Sequence, residues 1–184
     1  MLNRSLLILA AILCIASFAI AKRAPNRTYV ESRGGGGVFY ARCTPDNTTG
    51  PAGRMEIYRV KKEGDQLIDK YDFYPNSVHL AWSPIKGKVA ALAVMMEPEK
   101  DRNRKDELRF CFGGQVLKSY TTDDLLKLGA EAEVTSTDGR AAAYRIIGAD
   151  QIPGTNEYDF VIQLKNRTLR IDITTGEVRM PAEK

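Results

Sequence analysis

The fold of this chain is limited most by its recurring short runs of Val, Ile, Tyr and Phe, separated by clusters of Gly, Pro, Asn and Asp. Such runs between turn-forming residues are typical of β-strands, and little of the chain after the first 21 residues has a helical period. We therefore predict an all-β fold. The predicted strands are Val38–Cys43, Met55–Val60, Gln66–Phe73, Val78–Trp82, Lys88–Val94, Glu107–Phe112, Gln115–Tyr120, Ala132–Thr135, Arg140–Ile147, Tyr158–Leu164 and Arg167–Ile173.

The connections between several of these runs have the composition of tight antiparallel turns, because their Gly, Asn and Asp residues tolerate a positive φ. These turns are Lys62–Asp65, Phe112–Gly114, Thr137–Gly139 and Leu164–Asn166. One short helix is predicted at Thr121–Leu128, since a Thr precedes two Asp residues at its start and Gly129 follows it.

A weak internal repeat organises the strands. Ala81–Ala91 and Val134–Ala143 each contain a strand, a polar turn that ends in Gly-Lys or Gly-Arg, and a second strand of small residues. A further hairpin follows each copy, and Tyr29–Phe73 fits a degraded third copy. We therefore predict three four-stranded antiparallel meanders, which must stack because one meander cannot bury both of its faces.

Three turn motifs resemble those of β-propeller repeat proteins: Ser83–Lys88, Thr137–Arg140 and the strand ending Ile171–Glu177. The resemblance implies blade-like sheets. Because propellers usually close with four to eight blades, three units imply an open stack, a partial propeller, or a ring completed by pairing with a second copy. A β-sandwich is the alternative.

The first 21 residues have the parts of a secretory signal: a basic start with Arg4, an apolar stretch and the small residues Ala19 and Ala21. We expect cleavage after Ala21, with cleavage after Ala19 as the second choice and an uncleaved membrane anchor as the alternative. We predict a flexible segment at 22–37 and a single β-rich domain at 38–180, with units at about 29–74, 78–120 and 132–179. No later segment is predicted to span a membrane.

The net charge does not indicate nucleic-acid binding, and the cysteine content leaves two alternatives open. The formal net charge of +4 falls to +3 when Arg4 is removed with the signal, which is too small to indicate nucleic-acid binding. Cys43 and Cys111 remain after cleavage. In an oxidising compartment they predict either one disulfide or two buried free thiols.

Candidate site residues all have a structural explanation as well. His79 could act with Cys43 or Cys111 as a base and nucleophile, but alternation favours an ordinary strand histidine. Gly34–Gly37 could bind a phosphate, yet a strand follows it, so a turn or bulge is favoured. Glu97–Glu107 does not have calcium-loop spacing and is interpreted as a solvated hairpin loop that could contact a partner.

Two further groups of residues leave alternatives open. The aromatic residues could form a binding strip for sugars or peptides, although their spread over separate strands favours core filling. They are Tyr40, Tyr58, Tyr71, Phe73, Tyr74, Trp82, Phe110 and Phe112. Asn26, Asn47 and Asn166 each fit the N-glycosylation pattern, which has meaning only in a eukaryotic secretory pathway.

These observations identify no catalytic, cofactor-binding or metal-binding residue. The predicted function is an exported, secreted or periplasmic, non-enzymatic binding or scaffolding domain for a protein or carbohydrate partner. One alternative is a hydrolase whose carboxylates converge from different sheets. Another is a subunit of a self-pairing assembly, such as a homodimer joined through open strand edges.

Overall fold

The structure is a computed structural model that describes residues 25–96, 106–128, 134–135, 141–142, 144–164 and 167–179. The predicted signal, residues 97–105 of the charged loop, the Thr137–Arg140 turn and Asn166 lie outside these ranges.

Three four-stranded antiparallel meanders make up the fold, which confirms the predicted all-β class. Sheet I contains β1 (Tyr29–Glu31), β2 (Phe39–Pro45), β3 (Gly53–Arg59) and β4 (Gln66–Tyr71). Sheet II contains β5 (Ser77–Ser83), β6 (Lys88–Met96), β7 (Asp106–Phe112) and β8 (Gln115–Thr121). Sheet III contains β11 (Arg145–Gln151), β12 (Tyr158–Gln163), β13 (Thr168–Asp172) and β14 (Val178–Arg179). A separate pair, β9 (Val134–Thr135) and β10 (Ala141–Ala142), lies between sheets II and III in the chain.

Sheet II is the middle layer, and both of its faces are buried. Along β6, Ala91 and Ala93 belong to a core shared with sheet I, whereas Leu92 and Val94 belong to a core shared with sheet III. A strand covered on both faces needs apolar residues at successive positions, which explains the continuous apolar run of β6. The small alanine side chains also limit the volume that the two facing sheets must accommodate.

The predicted helix is confirmed as α1 (Thr122–Lys127), which follows β8 directly. The Thr121 amide and hydroxyl donate to an Asp124 carboxylate oxygen at 2.9 and 2.7 Å, and the Asp124 amide donates back to the Thr121 hydroxyl at 3.2 Å. This reciprocal cap satisfies donors that the first helical turn leaves free. Leu125 is fully buried in the core between sheets II and III.

The third unit differs from the predicted set of strands. The predicted strand Arg140–Ile147 is divided between β10 and β11, which belong to different sheets. Sheet III therefore begins at Arg145 and gains β14 as its fourth strand. An irregularity in the pairing of β11 with β12 falls at Gly148, so β11 does not have the strict alternation from which a strand is predicted.

The described part of the chain contains no closed sheet and no closed ring of sheets. The first strands of the three sheets nevertheless lie together, because β5 contacts β1 and β2 on one side and β11 and β12 on the other. The blade-like meanders implied by the propeller resemblance are thus present as an open set of three. Where their first strands meet, the molecule has a cleft.

Candidate functional site

The cleft is bounded by all three sheets and has a volume of about 450 Å³. That volume lies within the range of small-molecule sites in proteins, roughly 300 to 1,000 Å³. Sheet I, the turn segment before β2, strand β5 and sheet III all contribute to the lining. The lining residues are Gly34, Gly35, Gly36, Val38, Phe39, Arg59, Ala81, Trp82, Ala149 and Tyr158.

A stacked aromatic pair spans the boundary between sheets I and II in this cleft. The rings of Phe39 and Trp82 have centroids 5.2 Å apart and an interplanar angle of 14°. Phe39 is 6% exposed, whereas Trp82 is 36% exposed. Phe39 therefore serves as a buried support, and Trp82 presents apolar aromatic surface to the cleft.

The glycine segment forms the wall of the cleft next to β5. The Leu80 amide donates to the Arg33 carbonyl at 2.7 Å, which ties the segment to β5. Gly34 has a φ of +77°, and a Cβ at this position would lie 2.0 Å from the Leu80 carbonyl oxygen. Only glycine fits so close to a neighbouring backbone, so this position fixes the path of the segment.

Gly36 and Gly37 continue the segment with φ values of +60° and +73°. A Cβ at either position would meet nothing within 4 Å. Among the described residues their amides have no hydrogen-bond acceptor, whereas the Gly35 amide donates to the Ser32 carbonyl at 3.0 Å. Two adjacent amides are thus free to donate at the edge of the cleft.

Arg59 supplies the charge of the cleft. It pairs with Phe39 across β2 and β3, and its guanidinium carbon lies 5.9 Å from the centre of the Phe39 ring. Arg59 is exposed and has no carboxylate within salt-bridge distance in the described ranges. None of the described lining residues is acidic. Among the described residues, the cleft therefore combines an aromatic surface with one positive charge that has no acidic partner.

The structure has Cys43 and Cys111 as buried free thiols, the second of the two alternatives that the sequence left open. They lie on β2 and β7, in the core between sheets I and II. Burial raises the pKa of each thiol to about 12. Both are therefore protonated at neutral pH and are poor nucleophiles.

His79 does not form a site with either cysteine. Its neighbours Val78 and Leu80 face the core that holds both thiols, so alternation along β5 places His79 on the opposite face. Burial, followed by the nearby Arg33 charge, lowers the pKa of His79. It is not among the residues that line the cleft.

A pair of carboxylates of the kind that a hydrolase needs occurs on the outer face of sheet III, among residues that do not line the cleft. Asp159 and Asp172 are cross-strand neighbours, and Arg179 binds both, with its Nε 2.7 Å from one and its Nη2 2.6 Å from the other. Arg170 binds Asp150 at 2.6 Å on the same face. Asp159 is only 1% exposed, and its burial raises its pKa. These carboxylates are held by arginines in a structural ion-pair network.

The structure places most of the aromatic residues considered above in the cores or on sheet surfaces, and one in the lining of the cleft. Tyr71, Phe73, Tyr74 and Phe110 are buried in the cores, as core filling predicts. Tyr40 and Tyr58 stack on sheet I with ring centroids 5.2 Å apart. Of the aromatic residues considered for a binding strip, only Trp82 lines the cleft.

Sequence reasoning missed Arg59, Phe39, Ala149 and Tyr158 as members of one site. Phe39 and Arg59 come from sheet I, whereas Ala149 and Tyr158 come from sheet III, and only the packing of the sheets brings them together. One sequence signal could have linked the glycine run to Trp82. The apolar strand Val78–Trp82 begins the unit that directly follows the unit containing the glycines.

Two of the three glycosylation patterns lie in the described ranges. The Asn26 side-chain amide donates to the Gly50 carbonyl at 2.7 Å, whereas Asn47 is exposed.

In the ranges that the structure covers, no helix is both long and apolar enough to cross a bilayer, and no group of three metal-ligating side chains occurs. The sequence matches no protein-family model. Comparisons with curated proteins and with solved structures also returned no match.

Proposed function

We propose that this chain is an exported, non-enzymatic binding domain whose ligand occupies the cleft between the three sheets. The observation that carries this proposal is the position of Trp82, which is stacked on Phe39 yet 36% exposed inside a cavity of about 450 Å³. Pockets with a rigid aromatic wall and a few polar donors are typical of ligand-binding sites. The partner classes remain those of the sequence prediction, a protein segment or a carbohydrate.

The cleft supports binding rather than hydrolysis. Hydrolysis by paired carboxylates requires two acidic groups that face the same bound substrate. The described lining of the cleft has none, and the cross-strand pair Asp159 and Asp172 on sheet III is bridged by Arg179. We therefore do not advance the hydrolase alternative.

The export half of the proposal rests on the amino-terminal sequence. When the full chain is produced in a host with a secretory pathway, we expect a mature protein that begins at Lys22. Intact-mass measurement of the exported protein tests this expectation. A product that begins at Ile20 would support the second cleavage site, and a full-length product in the membrane fraction would contradict cleavage.

NMR spectroscopy tests the binding half. Trp82 is the only tryptophan in the chain, so its indole N–H gives one assignable cross-peak inside the cleft. A panel of neutral sugars, short peptides and small aromatic compounds should include members that shift this peak together with the Gly36 and Gly37 amide peaks. If no member of the panel does so, or if the shifts lie instead on the outer face of sheet III, the proposal is wrong.

A matched pair of variants locates the site. Trp82→Ala should weaken binding roughly fivefold or more, because stacking on an aromatic ring contributes on the order of 1 kcal/mol or more. Leu67→Ala also removes an exposed apolar side chain, but on β4, at a position that does not line the cleft. It should bind like the unmodified protein, with the glycine amide peaks as the readout in both variants.

A further inference from the structure

The charge of the cleft restricts what kind of ligand it accepts. Arg59 is exposed at the cleft, and among the described residues its guanidinium has an aromatic ring and no carboxylate as its neighbour. A second arginine on the same strand, Arg54, does not line the cleft, and the exposed Arg42 on β2 is already paired with Glu56 at 2.7 Å. Arg59 is thus a positive charge that the described part of the protein leaves for a ligand to neutralise.

The glycine segment adds hydrogen-bond donors, whose partial positive charge has the same sign as the charge of Arg59. Gly36 lines the cleft, and the amides of Gly36 and Gly37 have no described acceptor. Gly34, whose close approach to Leu80 fixes the segment, holds these amides in place. Gly36 and Gly37 lie in a turn, and successive backbone N–H groups of a turn can hold an anionic oxygen.

The rest of the lining is apolar. Trp82, Val38, Ala81 and Ala149 present carbon surface, and Tyr158 adds an aromatic ring with a hydroxyl. A ligand that fills the cleft must therefore have an apolar body as well as an anionic end. One arginine can neutralise a singly charged carboxylate through two parallel hydrogen bonds, but it would leave a doubly charged phosphate partly uncompensated.

We propose that the cleft binds a carboxylate attached to an apolar or aromatic body, with the carboxylate held by Arg59 and the Gly36 and Gly37 amides, and the body packed on Trp82. This inference rests on the proposed function and names the chemical class of its ligand. A free acid and the carboxyl terminus of a peptide with an apolar last residue share this chemistry.

The test compares an acid with its neutral amide in NMR titrations of the Trp82 indole and the Gly36 and Gly37 amides. The probes are 4-phenylbutanoate and 4-phenylbutanamide, followed by a pentapeptide that ends in phenylalanine with a free or an amidated carboxyl terminus. The acid should bind roughly tenfold more tightly than the amide, because a charged hydrogen-bonded pair is strong. Added salt should weaken binding of the acid more than that of the amide. Preference for either free-carboxylate probe over its amide supports the proposal. The probe that is preferred shows whether the carboxylate comes from a free acid or from the carboxyl terminus of a peptide.

Two arginine variants provide the control. Arg59→Gln should abolish the preference for the acid while the amide still binds, whereas Arg54→Gln, an exposed change on the same strand, should keep it. Matching circular dichroism and melting temperatures would show that both variants fold. Equal binding of acid and amide, or a preference that survives Arg59→Gln, would overturn the carboxylate inference but leave cleft binding intact. If neither probe shifts the cleft peaks, the carboxylate inference also fails, while the wider panel still decides the proposed function.

Discussion

At the scale of single residues, His79 should control how stability changes between pH 7 and pH 5. It is the only histidine in the chain, and burial and Arg33 lower its pKa in the folded state. The unfolded state then binds more protons as the pH falls through about 6.5, the ordinary value for histidine. We therefore expect the free energy of unfolding to fall as the pH is lowered through that value. Urea denaturation at several pH values measures this change.

His79→Gln supplies the control for this prediction, because glutamine keeps polar atoms at the position but does not titrate. As the pH falls from 7 to 5, the free energy of unfolding of the unmodified protein should decrease relative to that of this variant. A difference that stays constant over this range would mean that the folded and unfolded states protonate His79 equally.

The burial of some single residues could be predicted from the sequence, whereas the place of others in the cleft could not. Burial of Tyr71 and Phe110 follows from strand alternation, which is a local property. The place of Arg59 in the cleft depends on a cross-strand partner and on two other sheets, neither of which is encoded near position 59. The glycine run was correctly interpreted as a turn, but its contact with Leu80 spans 46 positions and could not be inferred from the local sequence.

At the scale of elements, the attachment of the glycine segment to β5 should depend on Gly34. Gly34→Ala would place a Cβ 2.0 Å from the Leu80 carbonyl oxygen in a left-handed conformation. We expect a loss of roughly 2 to 4 kcal/mol in the free energy of unfolding, since both a backbone clash and an unfavourable φ contribute. Urea denaturation measures this loss.

Gly36→Ala is the matched control for the glycine segment. Gly36 also has a positive φ, but its Cβ would lie in open space, so only the conformational cost of about 1 kcal/mol should remain. Equal losses in the two variants would show that close packing against β5 is not what requires glycine at position 34.

The elements themselves were largely predictable. Strands β2 to β8 and helix α1 agree with the sequence prediction, because their alternation and turn residues are strong local signals. Strand β1 was not predicted, and it lies within the segment 22–37 that was expected to be flexible. Sheet III was harder to predict. Strand β14 is only two residues long, and β11 contains Gly148 at a pairing irregularity, so neither has a clear period of two.

At the scale of the whole molecule, the sequence predicted three stacked meanders but not which faces remain open. The two end sheets present polar outer faces. Arg42 binds Glu56 and the Tyr58 hydroxyl on sheet I, and Arg179 binds Asp159 and Asp172 on sheet III. In stacked-repeat proteins, polar outer faces cap the terminal units. The ion pairs of the end sheets thus favour a capped stack over a ring completed by a second copy.

A capped stack should be a monomer in solution. Light scattering of the mature protein should give the mass of one chain over a wide range of concentrations. Reductant should not change that mass, because Cys43 and Cys111 are buried free thiols. The mass of two chains in both conditions would contradict the capping argument and favour a homodimer that completes the sheet arrangement. A dimer that reductant dissociates would instead require thiols that reach the surface, against the burial of both cysteines. A monomer leaves the three-sheet cleft open to solvent, as binding of a separate ligand by a single chain requires.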